Sequence, residues 1–192
     1  KRMSFTISNF DKRVRSILLR KGLLSEEQLN NAITYCTEKE CSLTRSLADN
    51  ELLKEETVTS ALAKESGMPP IDVRRVLPDA DIKEIINENV SKYYNVLPVS
   101  KIGDCLTIAV SNPFDILKLD DLKIVAGSKI RPVVTGEIAL QEAIVRVFDQ
   151  GEQIVQDLIE GLDDSEMELK EDGEEAADEE FTLEDIQTTG DS

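Results

Sequence analysis

The residues of this chain that come nearest to a binding chemistry are four cations around the first amphipathic stretch. They are Arg13, Arg15, Arg20 and Lys21. Closely spaced cations can hold phosphate groups or an acidic protein surface, and the alternative is an ordinary solvated polar face. Nucleic-acid binding is less favoured, because the stretch is short and no aromatic side chains that could stack on bases interleave with the cations.

Catalytic chemistry has little support in the sequence. Neither G-x-x-x-x-G-K-[ST] nor G-x-G-x-x-G, the two common phosphate-binding patterns, occurs. The chain has no histidine, so a Ser–His or Cys–His nucleophile pair cannot be built. Its three cysteines, Cys36, Cys41 and Cys105, lack C-x-x-C spacing, which predicts plain thiols in a reducing cytosol. We therefore expect no catalytic residue and no metal in this chain.

The net charge of −17 is unevenly distributed along the 192 residues. Residues 151–192 contain 17 of the 39 Asp and Glu residues but one of the 22 Lys and Arg residues, so residues 1–150 are nearly neutral. This pattern predicts a globular body and a mostly disordered acidic tail, residues 150–192. The tail is interpreted as a linker or, alternatively, as a partner-binding segment. No apolar run is long enough to span a membrane.

The elements around the cations are predicted from helix-end signals. Ser25 and Gln28 stand in the positions of a capping box, and apolar residues follow at helical spacing, which predicts a helix over residues 26–37. Gly22 is suited to end the helix before it.

A shift of 29 residues superimposes the first two predicted helices on the next two. Paired positions include Val14 with Leu43, Leu18 with Leu47, Leu29 with Val58, and Ala32 with Ala61. Two copies are too few for an extended solenoid but can form a compact four-helix unit. The sequence therefore predicts a helical repeat subdomain over residues 10–66, preceded by a flexible N-terminus over residues 1–9.

Residues 67–149 mix strand and helix patterns, so the predicted fold class is α+β. Strands are predicted at residues 95–100, 105–110 and 129–134, and Pro132 suggests an edge position for the third. Helices are predicted to cover this small three-stranded sheet. Their predicted ranges are residues 79–90, 112–125 and 137–148.

The repeat and the α+β subdomain together resemble the N-terminal region of the hexameric ATPases that power type II secretion and type IV pilus assembly, including the MshEN domain. The pattern of that domain is two motifs, each approximately R-L-G-x-x-L-V-x-x-G-L-I-x-x-x-x-L-x-x-A-L-x-x-Q. Here the motifs correspond to residues 13–36 and 42–65. The segment YYNVLPVSKIGDCLTIAVSNPFDILKLDDLKIVAGSKIRPVV, which begins at residue 93, resembles the second half of the domain.

Some members of that family bind cyclic di-GMP through the two motifs, and the resemblance makes four residues weak candidates here. They are Arg13, Arg15, Leu18 and Gly22. The second copy departs from the pattern at its arginine, glycine and glutamine positions. The residues found there are Ser42, Thr44, Glu51 and Glu65. Core-packing positions are thus kept, whereas positions that would touch a ligand are largely lost.

Other family members use this region to attach the ATPase to the cytoplasmic domain of an inner-membrane platform protein. The resemblance therefore implies a non-catalytic docking domain, cytoplasmic and peripheral to the inner membrane through its partners. It also implies a longer parent whose hexameric core holds ATP and magnesium. No nucleic-acid partner and no membrane insertion are expected. The residues predicted to contact the platform are Arg13, Arg15, Ile17, Leu18 and Arg20.

Overall fold

The computed structural model describes residues 7–148, in which eight helices surround one three-stranded sheet. The first half contains α1 (Asn9–Arg20), α2 (Glu26–Lys39), α3 (Leu43–Asp49) and α4 (Glu55–Ser66). After a 3-10 turn at Val73–Arg75 come α5 (Ala80–Ile85), α6 (Glu88–Tyr94), β1 (Val96–Ile102), β2 (Cys105–Val110), α7 (Ile116–Ala126), β3 (Lys129–Val134) and α8 (residues 137–148). The predicted α+β class is confirmed. The predicted acidic tail lies outside the described residues.

Helix α1 begins at Asn9, the last residue of the stretch that the sequence predicts to be flexible. Ser8 is the N-cap of α1, and its hydroxyl oxygen accepts a hydrogen bond from the backbone N–H of Asp11 at 3.0 Å. The Asp11 carboxylate in turn accepts from the backbone N–H of Ser8. This capping box satisfies two amide groups that a helix start otherwise leaves without a partner.

The repeat predicted from the sequence is present in the backbone as well as in the core. In each copy the first helix ends at a residue in the left-handed conformation, Gly22 with φ +64° and Glu51 with φ +53°. The second helix of each copy then begins four residues later, at Glu26 and Glu55. All eight paired apolar positions named above are buried, so the 29-residue offset describes two copies that share one core.

The sheet has the strand order β1-β2-β3, with β1 antiparallel to β2 and β2 parallel to β3. The three predicted strands and the edge position of Pro132 are thereby confirmed. Edge strands expose unpaired backbone groups, and proline reduces that exposure because it has no N–H to present. At the C-terminal end of β3, the backbone of Val134 donates a hydrogen bond to Pro69 and accepts one from Ile71. These two residues cover this part of the edge.

Each face of the sheet carries its own hydrophobic cluster. One face packs against α5, α6 and α7 through residues such as Leu106, Ile108 and Leu122. The opposite face packs against α8 through residues such as Leu97 and Leu140. Val134 at the end of β3 instead joins the cluster of the helical repeat. The repeat and the α+β part therefore belong to one compact unit, while the predicted boundary at residues 66 and 67 stays a prediction.

Two predicted helices differ from the structure. The helix expected over residues 79–90 is broken at Ile86 and Asn87, because the Asn87 side chain accepts from the backbone N–H of Val90 and caps a new helix, α6. The helix expected from residue 112 begins at Ile116, because residues 112–115 form a turn in which the Asn112 side chain accepts from a backbone N–H. Side-chain capping explains both differences. Among residues 7–148, no helix combines the length and the apolar character needed to cross a membrane.

Candidate functional site

Three of the four cations around α1 are engaged within the chain. The Arg13 guanidinium lies 3.8 Å above the centre of the Phe114 ring, a cation–π contact that ties α1 to the turn before α7. Arg15 faces α2, with a nitrogen 3.6 Å from a carboxylate oxygen of Glu26. Arg20 forms an ion pair with Glu65 of α4 at 2.5 Å. The cations predicted to bind phosphate or a partner are thus used largely to hold α1 against its neighbours.

The two apolar residues predicted for the platform contact have no surface to offer. Ile17 and Leu18 are 2% and 1% exposed, and both belong to the core of the repeat. The reason is geometric, because the apolar stripe of α1 points at α3 and α4. Their place in the core corrects their assignment to a docking surface, and it leaves the Leu18 side chain out of reach of a bound ligand.

Gly22 directly follows the C-cap residue of α1 and helps to end this helix. Its N–H donates to the carbonyl oxygen of Leu19 at 2.9 Å, and the N–H of Leu23 donates to the carbonyl oxygen of Leu18 at 3.0 Å. This is the usual arrangement in which a left-handed residue closes a helix. The space around Gly22 is open, so glycine is favoured here by its backbone conformation rather than by close contact.

The second copy uses its ligand-motif positions for internal contacts. Ser42 caps α3, and its hydroxyl also donates to a carboxylate oxygen of Glu137 at 2.7 Å. Thr44 is buried. Glu65, at the position where the family pattern has glutamine, holds Arg20. Two of the departures from the pattern, Ser42 and Glu65, therefore make contacts that hold this fold together.

A buried carboxylate on α4 closes the junction between the repeat and α8. One oxygen of Glu55 accepts from the backbone N–H of Ile138 at 2.6 Å, and the other lies 3.4 Å from the N–H of Ala139. Glu55 thus caps a helix that starts more than 80 residues later in the chain. A Cβ atom at Gly136 would lie 2.2 Å from the Glu55 carboxyl carbon, so the close approach requires glycine.

A second long-range cap lies within the repeat, where the other carboxylate oxygen of Asp11 accepts from the backbone N–H of Leu43 at 3.0 Å. Asp11 therefore serves the N-termini of both α1 and α3. Sequence patterns did not reveal the long-range roles of Asp11 and Glu55, because a capping signal is recognised only within one helix. Both residues are acids in the first turn of a helix, and this position is the one feature of the sequence that could have pointed to a capping role.

Two cavities lie along this junction. One of about 250 Å³ is lined by residues that include Glu55, Arg74 and Thr135. The other, of about 360 Å³, is lined by residues that include Asp11 and Glu137. Burial raises the pKa of the Glu137 carboxyl, and the nearby carboxylates of Asp11 and Glu55 raise it further, whereas Ser42 and Arg45 oppose the shift. Neither cavity contains the cations that the sequence proposed for phosphate binding.

Exposed apolar side chains are concentrated on α7. Four of the eight large apolar residues that the described part of the chain exposes lie on this helix, and they are Ile116, Leu117, Ile124 and Val125. Leu119 and Leu122 of the same helix are buried against the sheet. The sequence ILKLDDLKIVA already lacks a polar face, which is the signal that could have singled out this helix.

Residues 66–154 match the MshEN domain family. Two curated relatives are named Type IV pilus assembly ATPase PilB. The Myxococcus xanthus protein is 28% identical over 162 residues, which cover 84% of this chain and 29% of the relative. The Thermus thermophilus protein is 26% identical over 142 residues, which cover 73% of this chain and 16% of the relative. The chain thus spans less than a third of the length of either relative.

Two solved structures share the fold. The structure of MshE with cdg is 25% identical, has a TM-score of 0.56, and matches over 70% of this chain and 98% of that chain. The N-terminal domain of XpsE is 19% identical, has a TM-score of 0.55, and matches over 74% of this chain and 99% of that chain. The resemblance to the N-terminal region of type II secretion and type IV pilus ATPases is thereby confirmed. The family match begins at residue 66, so it covers the α+β part and leaves the two motif segments outside.

Proposed function

On the premise that residues 66–154 carry an MshEN domain, we propose that the chain is a non-catalytic N-terminal docking domain of a bacterial type II secretion or type IV pilus assembly ATPase. It attaches the motor to the cytoplasmic domain of an inner-membrane platform protein. In this proposal ATP and magnesium belong to the core of the parent protein, and the domain works in the cytoplasm, peripheral to the inner membrane.

The observation that carries the proposal is the internal use of the α1 cations. Arg20 is neutralised by Glu65, Arg15 lies beside Glu26, and Arg13 stacks on an aromatic ring. Cyclic di-GMP, with its two phosphodiester groups, would have to displace these contacts and approach the added carboxylates. Docking to a protein does not require these cations to be free, and it is consistent with the apolar side chains that α7 exposes.

The direct test is a calorimetric titration of the 192-residue chain with the cytoplasmic domain of the platform protein from the same organism. We expect saturable binding with a dissociation constant in the micromolar range, near −8 kcal/mol. A matched titration uses the cytoplasmic domain of an unrelated membrane protein, for which no heat beyond dilution is expected. Absence of binding at about 100 μM, with both proteins folded, contradicts the proposal.

A second candidate function is cyclic di-GMP sensing, favoured by the similarity to the structure of MshE with cdg. The same calorimeter distinguishes the two functions. We expect no heat of binding when the chain is titrated with cyclic di-GMP up to about 100 μM. This upper concentration is sufficient for the test, because a signalling ligand binds well below it. Binding that is lost in Arg13→Ala and kept in Lys101→Ala, a matched exposed cation on β1, would instead establish the sensing function.

A further inference from the structure

Helix α7 carries apolar side chains on the face that points away from the sheet. Leu117 and Ile124 are seven residues apart, so they lie on one stripe, two turns from each other. On a helical wheel this stripe is opposite Leu119 and Leu122, which are buried against the sheet. Leu117 is 78% exposed and Ile124 is 81% exposed.

A single exposed leucine is ordinary, but this stripe is continuous with other apolar residues. Ile116 and Val125 flank it and are also exposed. A helix that is apolar on all sides is normally covered on all sides. A contiguous apolar patch on a protein surface is typical of an interaction site.

Two acids lie in the middle of this stripe. Asp120 and Asp121 fall between Leu117 and Ile124 on the same side of the helix. Lys123 pairs with Asp120 at 2.7 Å, whereas the Asp121 carboxylate makes no hydrogen bond or ion pair with any residue between 7 and 148. The centre of the apolar face therefore carries a carboxylate that no cation of the described chain neutralises.

The Asp121 carboxylate helps to distinguish the partners that could bind the outer face of α7. A second copy related by a two-fold axis, with its α7 parallel or antiparallel to the first, would place Asp120 and Asp121 against the same two acids. A helix of another protein that presents a lysine or arginine between two apolar residues satisfies both the apolar stripe and the acid.

We propose that the outer face of α7 docks an amphipathic helix of the platform's cytoplasmic domain, with a basic residue of that helix opposite Asp121. This inference rests on the proposed docking function and names its surface. The α7 face is smaller than a complete interface, so it acts as the central anchor around which a polar rim forms.

The test compares variants of the 192-residue chain in the same titration with the platform's cytoplasmic domain. The double variant Leu117→Ser/Ile124→Ser removes the stripe, and Asp121→Lys reverses the central charge. Matched controls are Tyr93→Ser/Ile102→Ser, whose side chains are 78% and 77% exposed, and Glu142→Lys on the exposed side of α8. All these side chains are exposed, so circular dichroism melts are expected to be unchanged.

We expect affinity to fall about tenfold or more in both α7 variants and to stay within about twofold in the controls. Reversal of the facing basic residue of the platform helix to glutamate is expected to restore binding to Asp121→Lys. If the wild type binds and the α7 variants bind equally well, the surface is wrong while the docking function stands. If the wild type does not bind, both proposals fail.

Two further measurements test the occupant. Sedimentation of the wild-type chain at about 100 μM is expected to show a monomer. A dimer that disappears in Leu117→Ser/Ile124→Ser would assign the face to a second copy and overturn the proposal. Co-flotation with vesicles of anionic phospholipid, lost in the same variant, would assign the face to a membrane and overturn it equally.

Discussion

The substitution Gly136→Ala tests how α4 and α8 are joined. The alanine Cβ would lie 2.2 Å from the carboxyl carbon of Glu55 and 2.5 Å from one of its oxygens, so the carboxylate must move by about an ångström or more to reach ordinary contact. That movement breaks the 2.6 Å hydrogen bond from the N–H of Ile138 and leaves the first turn of α8 uncapped. The backbone at Gly136 is not left-handed, so alanine is otherwise compatible with its conformation.

The expected magnitude follows from the lost cap. Removing a side-chain N-cap costs about 0.5–2 kcal/mol, and a hydrogen bond to a buried charged group is worth about 1.5–3 kcal/mol. We therefore expect Gly136→Ala to lower the free energy of unfolding by about 2 kcal/mol. For a unit of this size, this corresponds to a melting temperature lower by about 6 °C.

The assay is a double-mutant cycle with Glu55→Ala, followed by urea unfolding and thermal melts of the four proteins. Glu55→Ala removes the three atoms nearest to the alanine Cβ, so Gly136→Ala should be neutral or stabilise that background by about 0.4–1 kcal/mol. A penalty of the same size in both backgrounds would refute the close-contact explanation. An unchanged stability of Gly136→Ala alone would show that the carboxylate is not held.

Three further predictions concern other positions. Glu51 and Gly22 both have a left-handed backbone, which glycine adopts at lower cost than other residues. In urea unfolding, Glu51→Gly should therefore raise the free energy of unfolding by about 0.5–1 kcal/mol, and Gly22→Ala should lower it by about 1 kcal/mol. Changes of the opposite sign would contradict this explanation. The pKa of Glu137 is raised, so its ionisation disfavours the folded state as pH rises through that pKa; Glu137→Gln should be more stable at pH 7, and a gain that persists below the ordinary glutamate pKa would count against this cause. Burial raises the pKa of the Cys36 thiol to about 11, so at pH 8 this cysteine should react with a thiol reagent far more slowly than the other two, as peptide mapping would show.

Much of the fold follows from patterns that are local in the sequence. Alternating and continuous apolar runs located all three strands, and the 29-residue offset located the shared core of the repeat. The burial of positions such as Leu29 and Val58 was predictable because they repeat at the same offset. The breaks at Asn87 and Asn112 were missed because a single side-chain hydrogen bond outweighed a continuous apolar pattern there.

The site was less predictable than the fold. Arg13 and Arg20 have the residue types of a binding site, and only the fold shows that Phe114 and Glu65 already engage them. The apolar stripe of α1 and the cations beside it could not be separated into core and surface from one helix alone. By contrast, the two-sided apolar pattern of α7 was present in the sequence, and it indicated an exposed face only once the sheet had been placed.

The Glu55 cap has a mechanical consequence. The chain continues beyond residue 148 from the C-terminal end of α8, so any tension that reaches the domain from that direction enters through α8. The first turn of α8 is held by a side chain of α4, which belongs to the repeat. A pulling force is therefore resisted first by the packing of α8 against the sheet and by the hydrogen bonds of Arg146, and then by the Glu55 carboxylate, which transmits what remains to the helical repeat.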